Sequence, residues 1–534
     1  MEKNKSKKLI VVALVAFAIL IVGASYAYLT AQTLTGKMTD INVTSYTTDV
    51  LTFTTGDAIN LEADQTTFGQ DKGSLSGETF AKATLLANNK TNEATDNYYV
   101  YFNIENNTFK YTLGEDKPEL ILTVTGPDGS EVTEIPGLTY KTTVKDRENK
   151  SISGFDVTTT NGLITIANNK TISAKPKAEE QYTLKLTFVN YEGDQTANAT
   201  STLSAKVMIQ KNMIPFHETC NDNTLACHTA KLYTGTQGEN GIYYHDASLT
   251  NGAGDNSYRY AGASSAVNNY VCFGSSEAPC PADNLYRIIG VFGDRVKLIK
   301  SDYATSTLLG TDGDYKQAYT ATFNKNYTSN YKGNNLANIA GYTWNYKNNT
   351  SINNAWGSNT WSTSLLNKTN LNTNFITNIG TEWANKIDMT TWKVGGNTWS
   401  NIGKQPAKTA YQNEVVKPEP GSKSNGETQL NAKIGLMYAS DYGFAAAPSA
   451  WTAKLENYED AAIKNVNWMY MGLHEWTISR NADTAYSVIY VSIYGDVNST
   501  SADNEMGVRP VFYLSSSVNY VSGNGSANDP ILVN

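Results

Sequence analysis

The segment Trp468–Leu514 contains Leu473-His474-Glu475-Trp476-Thr477-Ile478, ends in Gly507-Val508-Arg509-Pro510-Val511-Phe512-Tyr513-Leu514, and decides how the chain is read. Between these runs, over Tyr486–Gly495, Val488, Tyr490, Ser492 and Tyr494 alternate with Ser487, Ile489, Val491 and Ile493. That is the pattern of a strand buried on one or both faces. A polar loop is expected at Asp496–Glu505. Pro510 holds Arg509 extended, and a carboxylate such as Glu475, next to Trp476, is the expected partner for its guanidinium in a structural lock. The segment suggests a binding domain rather than a catalyst.

Paired short strands around a Gly/Asn-rich loop, with a Glu-Trp-Thr start and a Gly-Val-Arg-Pro finish, resemble the C-terminal part of the C-type-lectin-like fold. Within it they look most like the sulfatase-modifying-factor (formylglycine-generating) branch and related uncharacterised domains of bacterial surface proteins. The resemblance spans roughly the last half of the chain in layout only, on short motifs. It implies an α+β lectin-like domain over 258–534. The activity of the formylglycine-generating enzymes does not carry over, because they use a pair of cysteines near the C-terminus and no Cys follows Cys280. The Glu-Pro-Asn and Trp-Asn-Asp signatures of the sugar-binding lectins are absent too.

At 534 residues the chain is long enough for two or three domains. Only 17% of residues are charged, the net charge is −8, and Asn, Thr, Ser, Gly and 34 Tyr dominate, the composition of a secreted β-rich surface protein. No nucleic-acid partner is expected, since the only basic run is Lys3, Lys5, Lys7 and Lys8. Those lysines precede the apolar run Leu9–Val22, which has about the length that spans a bilayer. They belong on the cytoplasmic side, which puts the remainder outside the cell. Residues 1–31 therefore read as a signal peptide, with small residues for cleavage at Ala24-Ser25-Tyr26-Ala27, or as a retained membrane anchor. Gly23–Ala31 resembles the leader ends of Gram-positive biofilm-matrix, camelysin-like proteins. No sorting motif is seen at Pro530–Asn534, so attachment is expected through the N-terminal helix or through other surface components.

From 40 to 211 the pattern is strands and turns. Leu120, Ile121, Leu122 and Val124 run into Gly126-Pro127-Asp128-Gly129, and Phe155–Thr160 is expected to form a hairpin with Leu163–Ala167 across Asn161-Gly162. Tyr182, Leu184, Leu186 and Phe188, and then Leu203, Ala205, Val207 and Ile209, alternate with polar residues. A β-sandwich follows. It loosely resembles the jelly-roll or immunoglobulin-like domains of the matrix proteins, which implies a stalk or a self-assembling module. Residues 212–257 read as a Cys-containing linker or a long loop packed on the next domain. Cys220, Cys227, Cys272 and Cys280 are expected in disulfides, with 220–227 and 272–280 favoured by spacing. The competing reading is zinc on His217, Cys220, Cys227 and His228.

Leu285–Phe292 and Arg295–Lys300 are expected as a hairpin over Gly293-Asp294 that opens the last domain, with Pro510–Leu514 as its closing strand. Asp302–Asn359 and Trp392–Asn431 have the composition of long loop insertions, Trp361–Ile379 that of a helix, and Asp441–Ala447 that of a helix capped by Ser440. All nine tryptophans lie between Trp344 and Trp476. Trp344, Trp356, Trp361, Trp392 and Trp399, set among Asn, Gly, Thr and Tyr, are candidates to stack on a glycan or protein ligand, against a role as core. Asp496, Asn498, Asp503 and Glu505 are candidate Ca²⁺ ligands, against a solvated polar loop. No catalytic residue is assigned. His474-Glu475 lacks the second His of a metalloprotease, and no nucleophile elbow or phosphate loop occurs. The readings are a surface binding protein, a subunit of a matrix fibre, and a glycosidase-like enzyme using paired carboxylates.

Overall fold

The computed structural model describes residues 25–29, 49–64, 66–88, 92–220, 222–319, 329–347, 355–420 and 426–534. Of the leader expected at 1–31, only Ser25–Leu29 is among them, as a strand; the apolar run lies outside the described residues. No helix among the described residues is long and apolar enough to cross a membrane. The chain divides into two compact units, Met1–Pro215 and Phe216–Asn534.

The first unit contains β1 (Ser25–Leu29), β2 (Val50–Thr55), β3 (Asn60–Ala63), β4 (Leu75–Leu86), β5 (Ala94–Asn107), β6 (Leu120–Thr125), β7 (Tyr140–Lys145), β8 (Ser151–Asp156), β9 (Gly162–Ala174), β10 (Lys177–Phe188) and β11 (Thr202–Gln210). They form a five-stranded sheet, β3-β1-β11-β5-β9, and a six-stranded sheet, β2-β4-β10-β6-β8-β7. The expected alternation decides which side chains go inward. Tyr182, Leu184 and Leu186 of β10 and Leu203, Ala205 and Val207 of β11 share one apolar core with Phe102 and Ile104. The hairpin expected across Asn161-Gly162 does not form, because β8 pairs in the six-stranded sheet and β9 in the five-stranded one. Asn107 holds this crossing, its amide donating to the carbonyls of Val157, Thr158 and Thr160 at 3.0–3.1 Å, while Gly162 takes φ +94°.

The second unit contains β12 (Ile242–Tyr244), β13 (Tyr258–Tyr260), β14 (Tyr270–Cys272), β15 (Leu285–Phe292), β16 (Arg295–Lys300), β17 (Tyr315–Ala318), β18 (Ala340–Tyr342), β19 (Thr390–Lys393), β20 (Gly396–Asn397), β21 (Gln429–Ala432), β22 (Ile434–Gly435), β23 (Glu475–Asn481), β24 (Ser487–Val491), β25 (Val497–Ser501), β26 (Val511–Tyr513), β27 (Tyr520–Ser522) and β28 (Ile531–Val533). Its largest sheet runs β22-β26-β16-β15-β14-β28-β27, with β12 and β13 joined at β15. β15 and β16 form a hairpin over Gly293, and β26 pairs with β16. A four-stranded sheet runs β20-β23-β24-β25. The stretch read as a linker or packed loop places Leu225, Ala226, Ile242 and Tyr244 in the core of this unit. Both disulfides lie in it, Cys220–Cys227 and Cys272–Cys280.

The helix expected at Trp361–Ile379 is a 3₁₀ turn at Trp361–Thr363, a π-helix at Leu366–Phe375 and a short α-turn at Ile376–Asn378. The α-helix Ala439–Phe444 starts before the expected Asp441, and Ser440 lies inside it rather than capping it. The N-cap position is Tyr438, and Asp441 at the third helical position accepts its amide at 3.0 Å. The polar loop expected at Asp496–Glu505 is in large part β25, hydrogen-bonded along β24 from Val497 to Ser501.

Candidate functional site

A cleft of about 370 Å³ opens on the second unit between the π-helix and the two-stranded sheet of β19 and β21. A π-helix is a rare element, frequently found at functional sites, and this one is fixed by a buried carboxylate and by its own asparagines. Asp314, wholly buried, accepts the amides of Tyr346, Lys347, Leu365 and Leu366 at 3.0–3.2 Å and the Thr343 hydroxyl at 2.9 Å, which ties down the start of the helix. Asn370 and Asn374 donate to the Leu309 carbonyl at 2.8 and 2.9 Å. Asn372 bonds both the N–H and the C=O of Ile434 at 3.0 Å, joining the helix to the chain that leaves β21.

Ile376, Leu430 and Met389 supply the apolar lining, and Met389 is 62% exposed. Lys368 and Lys433 stand at the cleft, and no Asp or Glu among the described residues lines it. Lys433 donates its Nζ to the Ala384 carbonyl at 2.6 Å. The cleft therefore pairs apolar surface with positive charge in a chain whose net charge is −8.

The ionisable groups of the core are engaged elsewhere. Arg509 grips Glu475 with two hydrogen bonds, at 2.7 and 2.9 Å, and donates to the Met469 carbonyl at 2.8 Å. Lys297 reaches Asp441 at 2.5 Å, and Arg259 links Asp441 at 3.4 Å to Asp255 at 2.6 Å. Burial pushes the Lys297 pKa down against the pull of Asp441, and burial pushes Glu414 up. Glu414 accepts the amides of Ala439 and Ser440 at 3.0 and 2.9 Å. None of these groups lines the cleft. Lys297 and Asp441 hold the helix Ala439–Phe444 against β16, and Glu414 caps its first amides.

Three of the five candidate ligand tryptophans are core. Trp344 and Trp361 are wholly buried with ring centroids 4.7 Å apart, and the Trp344 indole donates to the Thr477 carbonyl at 3.0 Å. Trp392 is buried too and donates to the Ala432 carbonyl at 3.1 Å. Large rings remove the most apolar area from water, and each indole N–H except that of Trp361 finds a carbonyl on the way in. Trp476 is buried likewise, its indole donating to the Tyr342 carbonyl at 2.9 Å. Trp399 is half-buried and lies on Gly403. Trp356 is the exposed member at 55%, its ring 6.4 Å from that of Tyr486.

The four candidate calcium ligands do not converge, because β25 carries them apart. Asn498 donates to Asp496 at 3.4 Å at one end, the Asp503 amide donates to the Trp356 carbonyl at 3.2 Å, and buried Glu505 accepts from Gln317 at 2.9 Å. Among the described residues no three of His, Cys, Asp or Glu come together as a metal site. The four candidate zinc ligands do not form one either, since the two cysteines are joined to each other and His217 bonds the Tyr258 hydroxyl at 2.7 Å.

The cleft residues carry no local signal in the sequence. Leu430 and Asn431 ended a stretch with the composition of a loop, and the Asn-rich turn around Asn372 weakens a helical pattern rather than marking a site. No protein-family model and no curated protein matches the chain.

Proposed function

We propose that the chain is a bacterial cell-surface or secreted binding protein, adhesin-like. In this reading a β-rich sandwich unit is joined to a lectin-like unit that holds a glycan or protein ligand in the cleft between the π-helix and β21. The observation that carries it is the cleft itself: apolar residues and lysines in one open groove, backed by a helix that buried Asp314 and the asparagines hold rigid. The lectin-like assignment draws support from β16 and β26 lying side by side and from the Glu475–Arg509 lock. Localisation outside the cell, through a cleaved or retained N-terminal helix, accords with two disulfides and a polar, weakly charged composition.

The test is a glycan and host-protein array probed with the chain, with and without a calcium chelator. Saturable binding that survives chelation and weakens about tenfold or more in Met389→Asp is expected, since a charge would then sit on the apolar lining. Binding abolished by the chelator would move the ligand to the Asp496–Asn498 end of the unit. No binding at all would overturn the reading in favour of a matrix-fibre subunit assembling through its sandwich.

A further inference from the structure

The cleft presents a strand edge, and the parity of its hydrogen bonds can be read. In an antiparallel pair alternate residues exchange both bonds with the partner, and the residues between them turn their N–H and C=O away. The Val394 amide donates to the Thr428 carbonyl at 2.9 Å, immediately beyond the pairing of Lys393 with Gln429. Leu430, opposite Trp392, and Ala432, opposite Thr390, therefore bond inward to β19. The Lys393 amide confirms the alternation by pointing away from β21, to the Tyr438 hydroxyl at 2.8 Å. Gln429 and Asn431 thus turn their backbone N–H and C=O outward, and among the described residues β21 pairs with β19 alone. The consecutive β21 residues Leu430–Ala432 all line the cleft, as a strand seen edge-on requires and a strand seen face-on does not allow.

The opposite wall is the π-helix, and Asn372 closes one end of the free edge by taking both backbone groups of Ile434. A groove between an open strand edge and a helix is where an extended peptide adds as one more strand, with main-chain bonds for affinity and side-chain pockets for choice. The apolar lining of Ile376, Met389 and Leu430 fits a large apolar side chain, and Met adapts to varied shapes. Lys368 and Lys433, with no Asp or Glu among the described residues lining the cleft, fit a carboxylate next to it.

We propose that the cleft docks an extended peptide segment of a partner protein, carrying a large apolar residue beside an acidic one, by strand addition to the outer edge of β21 at Asn431. This rests on the cleft being the ligand site of the proposed function, and it commits that site to a peptide rather than a sugar.

The probe is a display library of random decapeptides panned on the full chain, followed by titration of the most enriched sequence as a synthetic peptide. Enriched peptides should share the apolar–acidic pair. Asn431→Pro removes an outward N–H that β19 does not use, a change an edge strand tolerates, and should weaken binding about tenfold or more at an unchanged melting temperature. Asn431→Ala keeps the backbone N–H and should weaken binding less than Asn431→Pro does. Lys368→Glu should weaken peptides with the acidic residue and not their neutral counterparts. Binding unchanged in Asn431→Pro, or lost equally in Asn431→Ala, would overturn strand addition. If Met389→Asp also left binding unchanged, the cleft itself would fall as the ligand site. Failure to enrich any peptide, with glycan binding that Met389→Asp abolishes, would overturn this inference and leave the proposed function standing.

Discussion

His245 is wholly buried, its ring edge-on to Phe444 with centroids 5.0 Å apart and tilted over Trp451 at 5.0 Å. Its Nδ1 accepts the Ala253 amide at 3.0 Å, which fixes the proton of the neutral ring on Nε2. Burial, with the Arg259 guanidinium near, pushes its pKa from the ordinary 6.5 down to about 3, the Asp255 carboxylate opposing. A folded-state value below the unfolded one means that the unfolded chain binds the extra proton as pH falls. The contribution is thus complete above 6.5 and is lost on the way down to about 3. His474, pushed down to about 4 by burial, adds with the same sign. His245→Gln should remove one group's share of the slope, about 1.4 kcal/mol per pH unit across the middle of that window. Unfolding by urea at stepped pH measures it, and equal slopes for variant and parent would show that His245 does not titrate this way.

At the scale of elements, the π-helix depends on one carboxylate. Asp314 takes four amides and a hydroxyl in a site without solvent, so Asp314→Ala leaves those donors unpaired inside the fold. A loss of at least about 3 kcal/mol is expected, beyond the ~1–3 kcal/mol of a single unmet buried donor. The urea midpoint of the second unit reads it, and a loss under about 1 kcal/mol would remove Asp314 as the support of the helix. This dependence explains what could be read beforehand. The β15–β16 hairpin was legible because Gly293-Asp294 and the flanking apolar runs are local. The alternation in β10 and β11 was legible for the same reason. The turn at Asn161-Gly162 carries a genuine local hairpin signal, while Asn107, far off in sequence, draws its strands to different sheets. Tryptophan among polar neighbours looked like ligand surface, yet burial of Trp344, Trp361 and Trp392 is decided by what packs over them from remote segments. The cleft was illegible on the same ground: Asn372 and Ile434 meet only after folding.

For the whole molecule, each unit has its own apolar core, the first around Leu184, Leu186 and Val207 and the second around Trp344, Trp476 and Phe512. Two cores predict two unfolding transitions in calorimetry. Both disulfides belong to the second unit and close short loops, with sequence separations of 7 and 8. Constraining loops of that size in the unfolded chain stabilises by about 2.5 kcal/mol each on the chain-entropy account, or roughly 5 kcal/mol together. A reducing agent should therefore lower one transition and leave the other in place, and the transition that stays should be the one retained by residues 25–215 made alone. A single transition that moves as a whole on reduction would contradict the division into two cooperative units. Two transitions that both stay put would mean that the bridges constrain segments already ordered in the unfolded second unit, and that its large aromatic core alone accounts for its stability.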